Sequence, residues 1–299
     1  MKNNTKIKHN QDRLYYAICY TGVSILTLIV LYPVIYVVSS SFSNADLVVQ
    51  GKVWLWPVDI NLDAYEMLFN YKNLWSGYAN TIFYTVAGTV INLVVTLCCA
   101  YPMARKNLRG RNQIMFLFSF TMMFSGGMIP TYILVKNLGI MNTRWALLLP
   151  SAMSVYNMIV CRTFIQTNIP EEMLEASQID GCNDTQFFFR MILPLSKPII
   201  AVLALWYAVS HWNSYFSAFL YLKDSSLYPL QLFLREILFA SKRIVETDGM
   251  IEAGASISTN ISVVMQYCVI VVSTAPLMCI YPFVQKHFQK GVMVGSVKG

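Results

Sequence analysis

Six long apolar stretches, separated by shorter polar segments, dominate the pattern of hydrophobic positions along the chain. Crossing a hydrocarbon core of about 30 Å takes roughly 20 apolar residues in a helix, and each stretch is long enough. The pattern therefore predicts an all-α membrane protein whose residues 1–299 form a single membrane domain surrounded by lipid. The six predicted transmembrane helices lie at about residues 15–40, 78–104, 114–135, 145–164, 198–222 and 257–284.

Composition agrees with this class, because hydrophobic residues make up 56% of the 299 positions and charged residues only 12%. The net charge of +7 is concentrated in loops, above all in the short second loop, which holds Arg105, Lys106, Arg109 and Arg111. Basic loops stay in the cytoplasm, so we expect a multi-pass protein of the cell (plasma or inner) membrane with both termini cytoplasmic. The positive charge thus indicates topology, and it predicts no nucleic-acid partner.

The third apolar stretch is interrupted by Gly126, Gly127 and Pro130. Glycine lowers helix propensity and proline removes a backbone donor, so we expect a broken helix here. A break inside a bilayer is tolerated where protein or water satisfies the freed backbone groups. Two alternatives stay open, namely a kink that improves packing and a stretch of backbone that lines a translocation pathway.

Polar side chains form a stripe along one face of the fifth apolar stretch, and the sixth and second stretches carry similar stripes. Small and hydroxyl residues are also ordinary contacts between membrane helices, so packing stays the alternative for each of them. Amide groups beside aromatic rings suit a neutral, hydroxyl-rich solute better than an ion. The stripes predict seven candidate substrate-pathway residues: Tyr207, His211, Asn213, Ser214, Tyr221, Gln266 and Asn92.

The sequence lacks the residue patterns that are typical of ion transfer, metal binding and catalysis. The six apolar stretches contain no Asp or Glu, which argues against a proton relay or a cation site inside the membrane. His211 has no second histidine within a stretch, and the seven cysteines include no C-x-x-C pair, so no metal site is predicted. The chain also lacks a phosphate-binding loop and known catalytic motifs. We therefore predict neither a cofactor nor an enzymatic activity in this chain.

The connection between the fourth and fifth stretches has its own helix signals. Asn168 and Pro170 are typical of a helix start, and Gly181 is typical of a helix end. A second short helix would follow and end at Pro194 and Pro198. The connection is also acidic, which fits poorly beside an anionic leaflet and favours contact with another protein. A solvated acidic turn is the alternative that charge alone leaves open.

The spacing of this connection is specific. Glu175–Ser177 is followed after three residues by Gly181, and after nine more by Met191–Pro194. The pattern resembles the EAA loop of importer-type ABC permeases, with Ser177 and Met191 as slight departures. The family pattern thus falls between the fourth and fifth of six predicted spans.

The resemblance extends along nearly the whole chain. It includes Thr121–Tyr132, His211–Tyr221 and the ending Gly291–Gly299. These segments are similar to carbohydrate-uptake permeases of the maltose-permease type, and especially to the branch that serves complex oligosaccharides in Gram-positive bacteria.

The resemblance implies a permease subunit that forms half of the pathway for a sugar or oligosaccharide, with ATP hydrolysis on separate subunits. The implied partners are a second, non-identical permease, two ATP-binding subunits and an extracellular solute-binding protein. A permease for another neutral polar solute and a passive membrane channel remain the alternatives.

By the same resemblance, residues 168–197 form a cytoplasmic coupling loop that contacts the ATPases. The expected contacts are Glu175, Ala176, Ser177, Asp180, Gly181, Leu193 and Pro194. The tail, with Gly295, Lys298 and Gly299, is also expected to reach toward the ATPases.

Overall fold

The structure, a computed structural model, describes residues 2–248 and 260–279. In that part of the chain helices are the regular elements, and Ser43 and Ile60 form an isolated β-bridge. The helices are α1 (Lys2–Ser41), α2 (Ala45–Val49), α3 (Asp63–Phe69), α4 (Lys72–Ala104), α5 (Arg111–Met123), α6 (Met128–Asn137), α7 (Trp145–Leu148), α8 (Val155–Asn168), α9 (Glu171–Ile179), α10 (Asp184–Phe187), α11 (Leu193–Leu195), α12 (Lys197–Trp212), α13 (Phe216–Tyr221), α14 (Leu230–Asp248) and α15 (Asn260–Cys279).

The chain divides into two compact units, Met1–Tyr71 with Glu236–Thr274, and Lys72–Arg235 with Ala275–Gly299. In the first unit the end of α1 is tied to α3 and α15. The Tyr65 hydroxyl lies 2.9 Å from the Ser41 hydroxyl, and the Cys268 thiol lies 3.4 Å from the Ser41 carbonyl. The prediction that residues 1–299 form a single domain stays a prediction.

Three described helices are long and apolar enough to cross a membrane: the part of α1 from Tyr15 to Ser41, α4, and α15. Two bent pairs raise the number to five if each pair is one crossing, namely α5 with α6, and residues 184–195 with α12. The all-α membrane class is thereby confirmed. The predicted interruption of the third stretch is confirmed as well, because α5 and α6 meet at 112° around Gly127, whose φ is +87°.

Two predicted stretches are not continuous helices, and the prediction was wrong in this respect. In residues 145–164, α7 ends before Pro150, whose nitrogen has no hydrogen to extend the helix. Ser154 then caps α8 by accepting a hydrogen bond from the Asn157 backbone. In residues 198–222, the helix stops at Asn213, whose side chain donates to the Val209 carbonyl and competes with the helical backbone.

The core of the second unit lies where α4, α8 and α12 pack together. Leu97, Met158 and Leu203 are buried there. Phe187 and Ile192, which belong to the segment after α9, are 2% and 1% exposed and join the same cluster. Because burying a large apolar side chain stabilises a contact by roughly 1.5–3 kcal/mol, these two residues anchor the segment firmly to the helical core.

Candidate functional site

α9 ends in a Schellman motif centred on Gly181. The Gly181 N–H donates to the Gln178 carbonyl at 3.0 Å, and the Cys182 N–H donates to the Ser177 carbonyl at 2.9 Å. This arrangement needs a left-handed residue after the helix, and Gly181 has φ +79°. The predicted helix end at Gly181 is confirmed.

The predicted start of this helix at Asn168 was wrong. Asn168 is the last residue of α8, and its side-chain amide donates to the Phe164 carbonyl at 3.0 Å. The amide thereby satisfies a carbonyl at the end of α8 and does not cap α9. Pro170 holds the N-cap position instead, with extended backbone and no side-chain cap.

The two faces of α9 differ sharply in exposure. Ser177 is 6% exposed and donates to the Leu174 carbonyl, so it faces the interior of its own chain. The opposite face is exposed, and Ile179 on it is 87% exposed. At 100° per residue, an arc of about 140° collects this isoleucine with three acidic residues and a small one. We call these five residues the α9 face: Glu172, Glu175, Ala176, Ile179 and Asp180.

The segment after Gly181 starts a second helical run. Asn183 caps α10 in a capping box with Gln186, each side chain accepting a hydrogen bond from the other residue's backbone N–H. A π-helical turn, Phe188–Ile192, and α11 continue the run to Leu195. The prediction that Pro194 ends this helix was wrong, because the wide turn just before it accommodates a residue that has no N–H.

The structure also places the other predicted residues of this segment, Pro198, Leu193 and Pro194. Pro198 does not terminate a helix, because it lies in the first turn of α12, where a missing N–H is harmless. The bend between the run and α12 is 77° and falls at Ser196. Leu193 is half-buried against the core of the second unit, whereas Pro194 is exposed.

Ionic contacts tie the coupling loop to the loop between α4 and α5. An Arg105 Nη1 lies 3.1 Å from Asp184 Oδ1 and donates to the Tyr101 hydroxyl at 2.6 Å. Lys106 Nζ pairs with Glu171 Oε2, and the hydrogen bond to this carboxylate holds the pKa of Lys106 above its ordinary value. We call these contacts the loop latch. They border a cleft of about 300 Å³ between the two loops.

Three of the predicted pathway residues lie in two buried polar layers between α4, α12 and the segment before α8. In the first layer the Asn92 amide donates to the Ser151 carbonyl, which leaves Asn92 Oδ1 to accept from His211 Nε2 at 2.7 Å. In the second layer the Tyr207 hydroxyl lies 2.7 Å from the Thr96 hydroxyl. Asn92 and Tyr207 are 1% and 5% exposed, as the packing alternative requires.

The other predicted residues are scattered. Tyr221 is 6% exposed and stacks on Tyr132, with ring centroids 6.3 Å apart. Asn213 is exposed at the break after α12, and Ser214 beside it is half-buried. Gln266 lies half-buried on α15 in the first unit. A substrate contact of any of the seven residues stays a prediction, and the tail residues Gly295, Lys298 and Gly299 lie outside the described residues.

The first polar layer predicts a sensitive position at Gly88. A Cβ there would lie 2.5 Å from Cε1 of His211, so the ring would have to move and release Asn92. We expect Gly88→Ala to lower the free energy of unfolding by about 1–3 kcal/mol, measured by thermal unfolding of the purified protein in detergent. In a His211→Ala background the same substitution should have little effect, and equal losses in both backgrounds would contradict this contact.

Two features of the site were not predicted from the sequence. Arg105 and Lys106 were interpreted as topology signals, and their acidic partners are far away in the sequence. Ile179 was passed over, although its position four residues after Glu175 and three after Ala176 places all three on one helical face. No group of three or more His, Cys, Asp or Glu side chains within residues 2–248 and 260–279 could hold a metal ion.

Two relatives match almost the whole chain. The polygalacturonan/rhamnogalacturonan transport system permease protein YtcP of Bacillus subtilis is 42% identical over 289 residues, which cover 97% of this chain and 100% of that protein. Protein LplC of Bacillus subtilis is 40% identical over 278 residues, covering 93% of this chain and 92% of that protein.

A solved structure agrees with the fold. It belongs to a bacterial ABC transporter involved in the import of the acidic polysaccharide alginate, with a TM-score of 0.80 and 34% identity over 93% of this chain and 98% of that one. Residues 93–294, which include the coupling loop, match the family described as binding-protein-dependent transport system inner membrane component. The chain therefore belongs to the family of binding-protein-dependent transport system inner membrane components.

Proposed function

We propose that this chain is the permease subunit of an ATP-driven importer and forms half of the translocation pathway for a sugar or oligosaccharide. The observation that carries the proposal is the α9 face, which presents Ile179 among acidic residues on a loop anchored in the helical core. An exposed aliphatic side chain at the centre of a polar surface is typical of a protein contact. Two proteins similar to this chain are named for the transport or import of polysaccharides.

The proposed partners are a second, non-identical permease, two ATP-binding subunits and an extracellular solute-binding protein. The chain has no phosphate-binding loop of its own, so ATP hydrolysis is assigned to the separate subunits. Both termini and the coupling loop are assigned to the cytoplasm, where the basic loop with Arg105 and Lys106 belongs by the positive-inside rule.

The proposed coupling is mechanical. A force on the α9 face reaches the core through Phe187 and Ile192, which pack with α4, α8 and α12. The loop latch adds a second connection, from Asp184 and Glu171 to the end of α4. Closely packed groups transmit displacement because they have little free volume to absorb it. Movement of the ATPases would therefore shift α4 and α12 together.

The coupling proposal predicts the effect of reversing a charge in the loop latch. Arg105→Glu places a carboxylate beside Asp184, so we expect sugar uptake about fivefold lower, corresponding to roughly 1 kcal/mol of lost coupling. The double variant Arg105→Glu with Asp184→Arg should restore most of the uptake. Arg109→Glu makes the same charge change at an exposed site of the same loop and should have little effect. If the double variant takes up sugar no faster than Arg105→Glu alone, the proposed role of the loop latch in coupling is contradicted.

Reconstitution tests the function as a whole. The complete importer is placed in proteoliposomes with ATP inside and the solute-binding protein outside, and uptake of a panel of oligosaccharides is measured. We expect accumulation of at least one oligosaccharide against its gradient, and none when ATP is replaced by a non-hydrolysable analogue. Equilibration of the sugar without ATP would favour the passive channel, and uptake restricted to solutes other than sugars would favour the other permease alternative.

A further inference from the structure

The cleft beside the loop latch lies at the depth where the membrane begins. Ala104, which lines the cleft, is the last residue of the second apolar stretch, and Ile165, which also lines it, follows directly after the fourth stretch. Arg111 is a third lining residue and precedes the start of the third stretch at Ile114. Lipid headgroups occupy the level at which apolar stretches begin and end, so the cleft lies among headgroups.

The charges around the cleft are not balanced. In the loop latch Arg105 pairs with Asp184 and Lys106 pairs with Glu171, so these four charges neutralise one another. Arg111 has no carboxylate within 4 Å among the residues that the structure describes, and its guanidinium donates instead to the Arg105 carbonyl at 3.3 Å. A guanidinium carries five N–H donors, so most of those of Arg111 remain for a ligand.

Arg111 also has other cations as neighbours. Its charge repels those of Lys106 and Arg162. Arg162 Nε donates to the Met103 carbonyl at 2.9 Å, and within the described part of the chain no carboxylate lies within 4 Å of this arginine either. Both guanidinium groups belong to half-buried residues. A bound anion would relieve their repulsion, which points to an anion site between them.

The first turns of α5 supply further donors and an apolar flank. The N-cap of α5 is Gly110, and no side chain caps the first turn, so its backbone N–H groups are open to an anion. Ile114 and Leu117 follow Arg111 at intervals of three residues and form one ridge on the helix surface, where they are 36% and 60% exposed. An acyl chain can pack along this ridge, whereas a small soluble anion would leave it uncovered.

We propose that Arg111, together with Arg162 and the start of α5, binds the phosphate of an anionic phospholipid whose acyl chain lies along Ile114 and Leu117. A guanidinium matches a phosphate group with two parallel hydrogen bonds, and it is weakly hydrated, so it gives up water readily. Basic pockets between membrane helices are typical sites for anionic headgroups. The inference concerns a site apart from the translocation pathway and does not depend on which solute is transported.

The test measures the Kd of short-chain phosphatidylglycerol for the full-length protein in a nonionic detergent, from the rise in Tm as the lipid is titrated. We expect a saturable rise. Phosphatidylcholine of the same chain length carries no net charge and should bind at least about tenfold more weakly. Inorganic phosphate has no acyl chain to bury and should also bind at least about tenfold more weakly.

A matched pair of variants tests the position. Arg111→Gln removes the charge in the cleft and should raise the Kd for phosphatidylglycerol at least about tenfold, as expected for a lost hydrogen bond to a charged group. Arg109→Gln removes the same charge from an exposed position of the same loop and should change the Kd less than about twofold.

Each other outcome would overturn the proposal. Equal Kd values for phosphatidylglycerol and phosphatidylcholine in the wild type would refute an anion site, and this comparison decides the matter even if Arg111→Gln fails to fold. Inorganic phosphate that binds as tightly as phosphatidylglycerol would replace the lipid by a soluble anion. Wild-type affinity in Arg111→Gln, or equal losses in Arg111→Gln and Arg109→Gln, would show that the cleft is not the binding site.

Discussion

Gly181→Val is expected to separate this chain from its ATPase partners. The backbone at Gly181 has φ +79°, a conformation that raises the energy of an L-residue with a Cβ by roughly 1–2 kcal/mol, and more for a β-branched one. The Schellman motif would rearrange, and α9 would lose its fixed direction relative to α10. We expect co-purified ATPase and sugar-stimulated ATP hydrolysis to fall at least about tenfold.

Gly181→Asn is the matched control. Asparagine adopts the left-handed conformation more readily than other residues with a side chain, and no described atom lies within 4 Å of a Cβ at this position. The asparagine variant should therefore keep most of the ATPase. If both variants lose the co-purified ATPase, the cause is a side chain that occupies space needed by the partner, and not the conformation of the backbone. If Gly181→Val retains all of the ATPase, the assignment of residues 168–197 as the loop that contacts the ATPases is refuted.

Ile179→Asp is expected to weaken ATPase binding without unfolding the chain. The side chain is 87% exposed, so its replacement removes little internal packing. At the centre of an interface, truncating or charging such a residue typically raises the free energy of binding by 2 kcal/mol or more, about a 30-fold higher Kd. The Kd is measured by titrating the purified ATPase onto the permease pair in nanodiscs.

A matched change elsewhere tests whether the position matters. Ile60→Asp makes the same substitution at a residue that is 72% exposed in the first unit. Ile60 lies in the loop after the first apolar stretch, which a cytoplasmic amino terminus would place on the outer side of the membrane. Its Kd for the ATPase should equal that of the wild type. If Ile179→Asp and Ile60→Asp give the same Kd, the α9 face is not the docking surface.

The sequence predicted the local features of the coupling loop well. The end of α9 depends on one residue's φ, and glycine at position 181 satisfies it at little energetic expense. The break near Gly127 follows likewise from neighbouring residues. The start of α9 was predicted wrongly because Asn168 had a competing acceptor, the Phe164 carbonyl, within its own helix. An asparagine at this position can accept from the backbone N–H groups of the next helix or donate to a carbonyl of its own helix, and its neighbours in sequence do not decide between the two.

Hydropathy also set the protein class by itself, because the length of an apolar stretch decides whether it can cross a bilayer. It did not reveal which polar side chains would pair. His211 meets Asn92 across 119 positions, and Arg105 meets Asp184 across 79. Which side chains pair depends on how α4 packs on its neighbouring helices. In the structure, some residues of the predicted stripes lie in buried polar layers and others lie at the exposed break after α12.

The sequence alone thus determined the membrane class, the spacing of the coupling loop and the glycine at its turn, since each depends on residues close together in the chain. The tertiary structure decided that Ser177 faces inward while Ile179 faces outward, and it brought Arg235 onto Tyr215. The physical reason is that burial and ion pairing depend on which helices become neighbours, and that choice is made by the packing of the whole unit.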